Sequence, residues 1–167
     1  MDKKTKKTDL LSLKVRLAFA LGEISDMTAY QTFSFLIFTF YFSVVKLNIE
    51  VITYIFIAWS IINAINDPLL GALSDKTKTR KLGGGRRRPW IVAFTVPLGI
   101  IMILLFTPPT KSKELAAWYF FAIISLFDTI YTAYSINHTS LYPEMFRTDR
   151  QRENAGYVRR GVMVLGL

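Results

Sequence analysis

The chain has no cysteine and a single histidine, His138. Disulfides and thiol chemistry are excluded, although this says little about compartment. No Ser-His-Asp or HExxH arrangement is present, and Gly83-Gly84-Gly85 lacks the Lys-Ser/Thr and the flanking strand of a phosphate loop. Nothing in the chain reads as an enzyme. The most informative lack is of charge within the apolar runs. Hydrophobic residues make up 51% of the 167 and aromatics 14%, while the 21 Lys and Arg are gathered into blocks between long charge-poor stretches. A soluble domain would interleave charge at helical period, so the pattern points to a membrane protein. The net charge of +9 does not point to nucleic acid, because the basic residues sit at the ends of apolar runs, where they act as topology signals.

Residues 1–16 are polar and basic. The apolar run behind them is too long for a signal peptide and has no small-residue cleavage site, so they read as a cytoplasmic tail. Spans are expected at about 17–45, 51–73, 89–106 and 115–141. The first exceeds the roughly 20 residues a bilayer requires and is expected to tilt or bend. The link at 46–50 is short enough to make the first two spans antiparallel neighbours. Pro89 suits a first helical turn, and Trp90 suits an interface. Residues 142–160 read as a mixed-charge loop or loop-helix. Gly161 to Leu167 begin a fifth apolar segment, whose seven residues rise only about 10 Å. The expectation is therefore a fragment of four spans and the start of a fifth. Six basic residues in the tail, seven in 74–88 and five in 142–160 fall on one side, eighteen in all, against three on the other. The positive-inside rule makes the tail and those two segments cytoplasmic, in a multi-pass protein of the cell membrane.

Ionisable groups inside spans are expensive and mark function. In the second span Asn63, Asn66 and Asp67 follow i, i+3, i+4 spacing and share a face. Pro68 cannot donate to the carbonyl of Ala64, which is left free. One carboxylate, two amide oxygens and a carbonyl are hard ligands suited to Na⁺ or H⁺; the alternative is hydrogen-bonded packing between helices. Asp128, Tyr131, Thr132, Ser135 and Thr139 share a face of the fourth span, able to hydrogen-bond a polyhydroxylated solute or, for the hydroxyls, to bond back to their own helix. Glu23 and Asp26 lie three apart in the first span, and Tyr30 continues their face. They could bind solute hydroxyls, share a proton, or pair with a cytoplasmic arginine. His138 reads as a hydrogen-bonding residue at a span end or as a proton relay. Asn137-His138-Thr139 fits a glycosylation sequon but falls on the wrong side of the membrane.

Two motifs can be named. Asn66-Asp67-Pro68-Leu-Leu-Gly71-Ala-Leu-Ser-Asp75 with Gly85-Arg86-Arg87-Arg88-Pro89-Trp90 closely resembles the signature of the glycoside–pentoside–hexuronide:cation symporters, the melibiose-carrier-like branch of the major facilitator superfamily. Tyr142-Pro143-Glu144-Met145, with Thr148-Asp149 and Glu153 behind it, resembles that family's element after helix four. The resemblance implies an all-α polytopic membrane protein, here a partial N-terminal six-helix half (17–167) of a twelve-helix transporter that holds solute between its halves. It implies a cation site on helix two in a D-x-x-N-D-P pattern, in which Asn63 here replaces the first acid. Losing that acid should weaken Na⁺ and favour H⁺ or no coupling. Ser135 and Thr139 stand where sodium-coupled sugar members carry an Asp and an aromatic, and Arg159 or Arg160 matches the family's helix-five arginine. Gly71 is expected to permit close helix approach. Asp75 is expected to pair with a basic residue of its own loop or of 147–160. With Arg86, Arg87, Arg88, Glu144, Asp149, Arg159 and Arg160 it would form a cytoplasmic gate.

The function these readings imply is symport of a small polar, sugar-like solute with H⁺ or Na⁺ as coupling ion and no other cofactor. The bilayer is the other partner and nucleic acid is not one; oligomeric state is not legible. The competing readings are a non-transporting truncated or scaffold membrane protein, and a transporter of lipid-like amphiphiles.

Overall fold

A computed structural model describes residues 11–77, 87–109 and 112–166, with side chains described up to residue 164. The described residues are helical: α1 (Leu13–Thr39) running into a π-helical turn (Phe40–Val44), α2 (Ile49–Lys76), α3 (Arg88–Leu105), α4 (Lys113–Met145) and α5 (Asp149–Gly166). α2, α3 and α4 are each long and apolar enough to cross a membrane. α1 is as long but carries Lys14, Arg16, Glu23, Asp26 and Gln31. On α2, Ile57, Ile61, Ile65, Leu69 and Leu73 form an exposed stripe at i, i+4 spacing. α3 shows Val92, Val96, Ile100 and Ile103 in the same way. Stripes of this kind are stable against lipid or further helices rather than water.

Element ends follow local chemistry. The α1–α2 link is tighter than expected: Val45 N–H closes on the Phe40 carbonyl (3.1 Å), Leu47 N–H on that of Tyr41 (3.1 Å), and Lys46 takes a left-handed φ of 58°. Asn48 then caps α2 by accepting from Glu50 N–H at 3.1 Å. Pro89 occupies the first turn of α3, where its missing N–H costs nothing. The segment at 142–160, expected as a loop or loop-helix, is mostly helical. α4 runs through Pro143 to Met145, and only 146–148 separate it from α5. Thr148 and Gln151 cap α5 reciprocally, since Thr148 Oγ1 accepts from Gln151 N–H (3.3 Å) and Gln151 Oε1 from Thr148 N–H (3.4 Å). That capping pair starts the fifth helix a dozen residues before the apolar run that announced it.

The chain divides into two compact units, each described by itself. Residues 29–137 form the larger. Its core is aromatic: Tyr41 is fully buried, stacks on Phe120 at 3.8 Å between centroids, and donates its hydroxyl to the Leu105 carbonyl at 3.1 Å. Tyr119 donates to the neighbouring Leu104 carbonyl at 2.7 Å. The Tyr41 bond satisfies a carbonyl at the C-terminal end of α3, and the Leu104 carbonyl also accepts from Thr107 N–H at 3.2 Å. Phe33, Phe127 and Tyr131 stack in succession, at 4.6 and 5.6 Å, and Tyr30 lies on Tyr131 at 5.8 Å. The smaller unit, 1–28 with 138–167, packs Phe19, Phe146 and Ala155 under Tyr142 and Met145.

Candidate functional site

Within the larger unit α2 and α4 are joined by side-chain hydrogen bonds among the predicted polar residues. Asn66 Nδ2 donates to Asp128 Oδ2 (3.1 Å) and to Thr129 Oγ1 (3.0 Å). Thr132 Oγ1 donates to Asp67 Oδ1 at 3.0 Å. Of the two orientations of the Asn63 amide, the one that satisfies its surroundings puts nitrogen 3.2 Å from Asp128 Oδ1 and 3.2 Å from Asp67 Oδ1. Asn63 thus bridges two carboxylates on different helices. Asp128 and Thr132 are buried, whereas Asp67 lies on the exposed side of the network.

Two expectations change here. Asn63 and Asn66 were expected to offer amide oxygens to a cation, but they present amide nitrogens to the two acids and act as donors. Asp128 was assigned to the solute on helix-face grounds, yet it sits in one network with Asp67. Hydrogen bonding to a charged acceptor is stronger than to a neutral one, and each acid that lacks water needs such donors. Among the described residues no three His, Cys, Asp or Glu side chains gather as a metal cluster. Farther along the same helices Ser74 Oγ donates to Asn137 Oδ1, and Asn137 Nδ2 donates to the Ala133 carbonyl at 2.8 Å. Thr129, Ser74 and Asn137 were not anticipated as members of this seam. Ser74 carried a usable signal, since it lies seven residues after Asp67 and so shares its face.

The expected solute set is divided between the two units. Tyr30 and Tyr131 stack in the larger unit, with Ser135 half-buried there. Glu23, Asp26 and Thr139 belong to the smaller unit. There Arg159 Nη2 donates to Glu23 Oε1, and His138 Nδ1 stands 4.0 Å from Glu23 Oε2. Glu23, Asp26 and His138 are all buried. The imidazole lies nearly flat on Phe19, 4.8 Å between centroids at 12°. Gly22 makes room for it, because a Cβ there would stand 2.5 Å from His138 Nε2. Next to this group is a cavity of about 520 Å³ whose walls include Thr139, Ser140, Tyr142 and Arg159. Of the sequence alternatives for Glu23, pairing with an arginine is the one this geometry contains, and the arginine is Arg159.

The remaining residues assigned to a gate divide. Asp75 accepts from Arg87 Nη2 at 3.3 Å, and Arg87 is buried. Trp90 Nε1 donates to Thr77 Oγ1 at 3.1 Å and holds the start of α3 to the end of α2. Asp149 pairs along its own helix with Arg152 (3.7 Å), and Arg160 lies over the Tyr157 ring (5.5 Å). Arg88 and Glu144 are exposed, and Arg86 lies outside the described residues. Among the described residues, a Cβ at Gly71 would meet nothing within 4 Å. At Gly22 the neighbouring side chain, His138, is close.

Residues 18–167 match the family described as MFS/sugar transport protein. The chain belongs to that family. MFS proteins of this family are transporters, not enzymes, and the chain is an all-α membrane protein of that class. Similar proteins include the inner membrane symporter YicJ of Escherichia coli K12, 24% identical over 81% of this chain and 29% of its own length. The isoprimeverose transporter of Lactiplantibacillus pentosus is 25% identical over 90% of this chain and 31% of its own. The sodium-dependent lysophosphatidylcholine symporter 1 of Mus musculus is 29% identical over 98% and 31%. The MFS chain therefore spans about a third of the length of the curated relatives it matches.

Proposed function

We propose that this chain supplies the N-terminal helices of a symporter that moves a small polar, sugar-like solute across the cell membrane by alternating access, driven by H⁺ or Na⁺. The observation that carries this reading is the network of Asn63, Asn66, Asp67, Asp128 and Thr132 across α2 and α4. Carboxylates in apolar helices cost several kcal/mol and persist where an ion pathway uses them. Asp67 is the coupling residue in this reading. Asn63 takes the place of an acid, which favours a proton over sodium, and Asp128 adds a second carboxylate from α4. Tyr131, stacked with Tyr30, offers an aromatic surface of the kind that suits a sugar ring. The N-terminus and the 74–88 and 142–160 segments face the cytoplasm, where the pairs Asp75–Arg87 and Glu23–Arg159 tie neighbouring helices of this half together as the halves rock.

Asp67→Asn in the full-length transporter should abolish uptake against a gradient while leaving solute exchange. Undiminished uphill uptake by this variant would remove Asp67 from coupling. A second reading, transport of a lipid-like amphiphile, is favoured by the match to the mouse symporter over nearly the whole chain. Competition of labelled uptake by isoprimeverose-type disaccharides and by lysophospholipids separates the two.

A further inference from the structure

The amide nitrogen of Asn63 stands 3.2 Å from Asp67 Oδ1 and 3.2 Å from Asp128 Oδ1, so it fills the space between two carboxylates on different helices. The two acids lie within electrostatic reach of each other. Carboxylates placed in this way repel, and a proton or a cation between them is the usual relief. An amide NH₂ carries two hydrogens, one for each oxygen. A neutral group of the chain therefore takes the place a cation would fill. The surrounding donors complete the arrangement. Thr132 Oγ1 donates to Asp67 Oδ1 at 3.0 Å and Asn66 Nδ2 to Asp128 Oδ2 at 3.1 Å, with the Trp59 indole N–H a further donor facing Asp128. Asp67 Oδ2 has no donor among the described residues, and Asp67 lies on the exposed side of the network.

We propose that Asn63 sets the ion specificity of this site by occupancy: its NH₂ group plugs the position that sodium would take between Asp67 and Asp128. Sodium needs oxygen ligands, and the amide presents hydrogens there. Turning the amide to offer its oxygen would strip both acids of the donor they share. A proton meets no such obstacle, because it settles on Asp67 Oδ2 and leaves every bond of the seam in place. This rests on the symport reading and gives proton preference a different cause from a missing ligand. A site that merely lacks one acid stays indifferent to sodium when Asn63 is shortened. A site whose ion position is filled by Asn63 responds to sodium once that position is emptied, with the oxygens of Asp67, Asp128 and Thr132 left as ligands.

The test uses the full-length transporter, purified and in proteoliposomes, with sodium chloride exchanged for choline chloride at constant pH and ionic strength. Asn63→Ala empties the position and adds no ligand. It should gain a sodium-dependent rise in melting temperature of at least about 2 °C, the shift expected of an ion at several times its Kd. Its uptake should respond to sodium by about fivefold, the low end for coupled sites. Asn63→Ser, also short, gives the same readout if the alanine variant does not fold. Adding Asp128→Asn removes one of the two acids and should cancel the response, and the parent should show none. Sodium indifference in the short variants, a response that survives Asp128→Asn, or sodium-driven uphill uptake by the parent overturns the occupancy role. Each of these results leaves the transport reading untouched, because that reading stands or falls on Asp67→Asn.

Discussion

Removing the amide of Asn66 probes the seam between α2 and α4 most directly. Asn66→Ala deletes two hydrogen bonds, at 3.1 Å to Asp128 and 3.0 Å to Thr129. In a soluble interior a bond to a charged partner contributes about 1.5–3 kcal/mol. Within a membrane the measured average between helices is nearer 0.6 kcal/mol, with a maximum of about 1.7, because the separated helices find other partners. Two bonds, one of them to a carboxylate, should therefore be worth about 1–2 kcal/mol, or five- to thirtyfold in the unfolding equilibrium. Asp128 keeps the Asn63 donor at 3.2 Å, so the penalty for its burial is not released in full. The assay is reversible unfolding of the purified full-length transporter in mixed micelles, read as a double-mutant cycle of Asn66→Ala with Asp128→Ala. The expected coupling energy is about 1 kcal/mol, since the bond to Thr129 is lost equally in both halves of the cycle. Coupling below about 0.3 kcal/mol, the scatter of independent sites, would mean that the amide and the acid do not interact as drawn, and the bridging role of Asn63 would fall with it.

Three further outcomes are expected. Gly22→Ala forces a methyl to within 2.5 Å of His138 Nε2, so it should cost about 1–3 kcal/mol by overpacking, and adding His138→Ala should recover most of the loss in melting temperature. Tyr41→Phe removes the fully buried hydroxyl bound to the Leu105 carbonyl and should cost about 0.5–1.5 kcal/mol in the same unfolding assay; an unchanged midpoint would count against that bond. Asn63→Asp places a third carboxylate where the amide now bridges two. Mutual repulsion should then demand a cation, so the melting temperature should rise when choline chloride is replaced by sodium chloride, an effect the parent should not match.

Much of the chain is legible in its sequence. Long charge-poor runs can be stabilised only as membrane helices, and the placement of Pro89, Trp90 and the basic blocks marks where those helices end. The spacing of Asn63, Asn66 and Asp67 fixes their common face, because helical geometry is local. The start of α5 was harder to see. Its first turns are polar and do not resemble a span, and the Thr148–Gln151 cap that begins it works through local hydrogen bonds, not hydropathy.

What only the tertiary structure decided is which faces meet. Periodicity put Asp128 and Thr139 on one side of α4 and suggested a common solute, but it could not say that Asp128 lies against Asn63 and Asn66. Nor could it choose Arg159 over Arg160 for Glu23, or show that His138 packs against Gly22. The residues on a face follow from 3.6 residues per turn. Their partners depend on how side chains from distant parts of the chain pack, so carboxylates that look alike in sequence acquired different neighbours: amides for Asp67 and Asp128, and a guanidinium with an imidazole for Glu23.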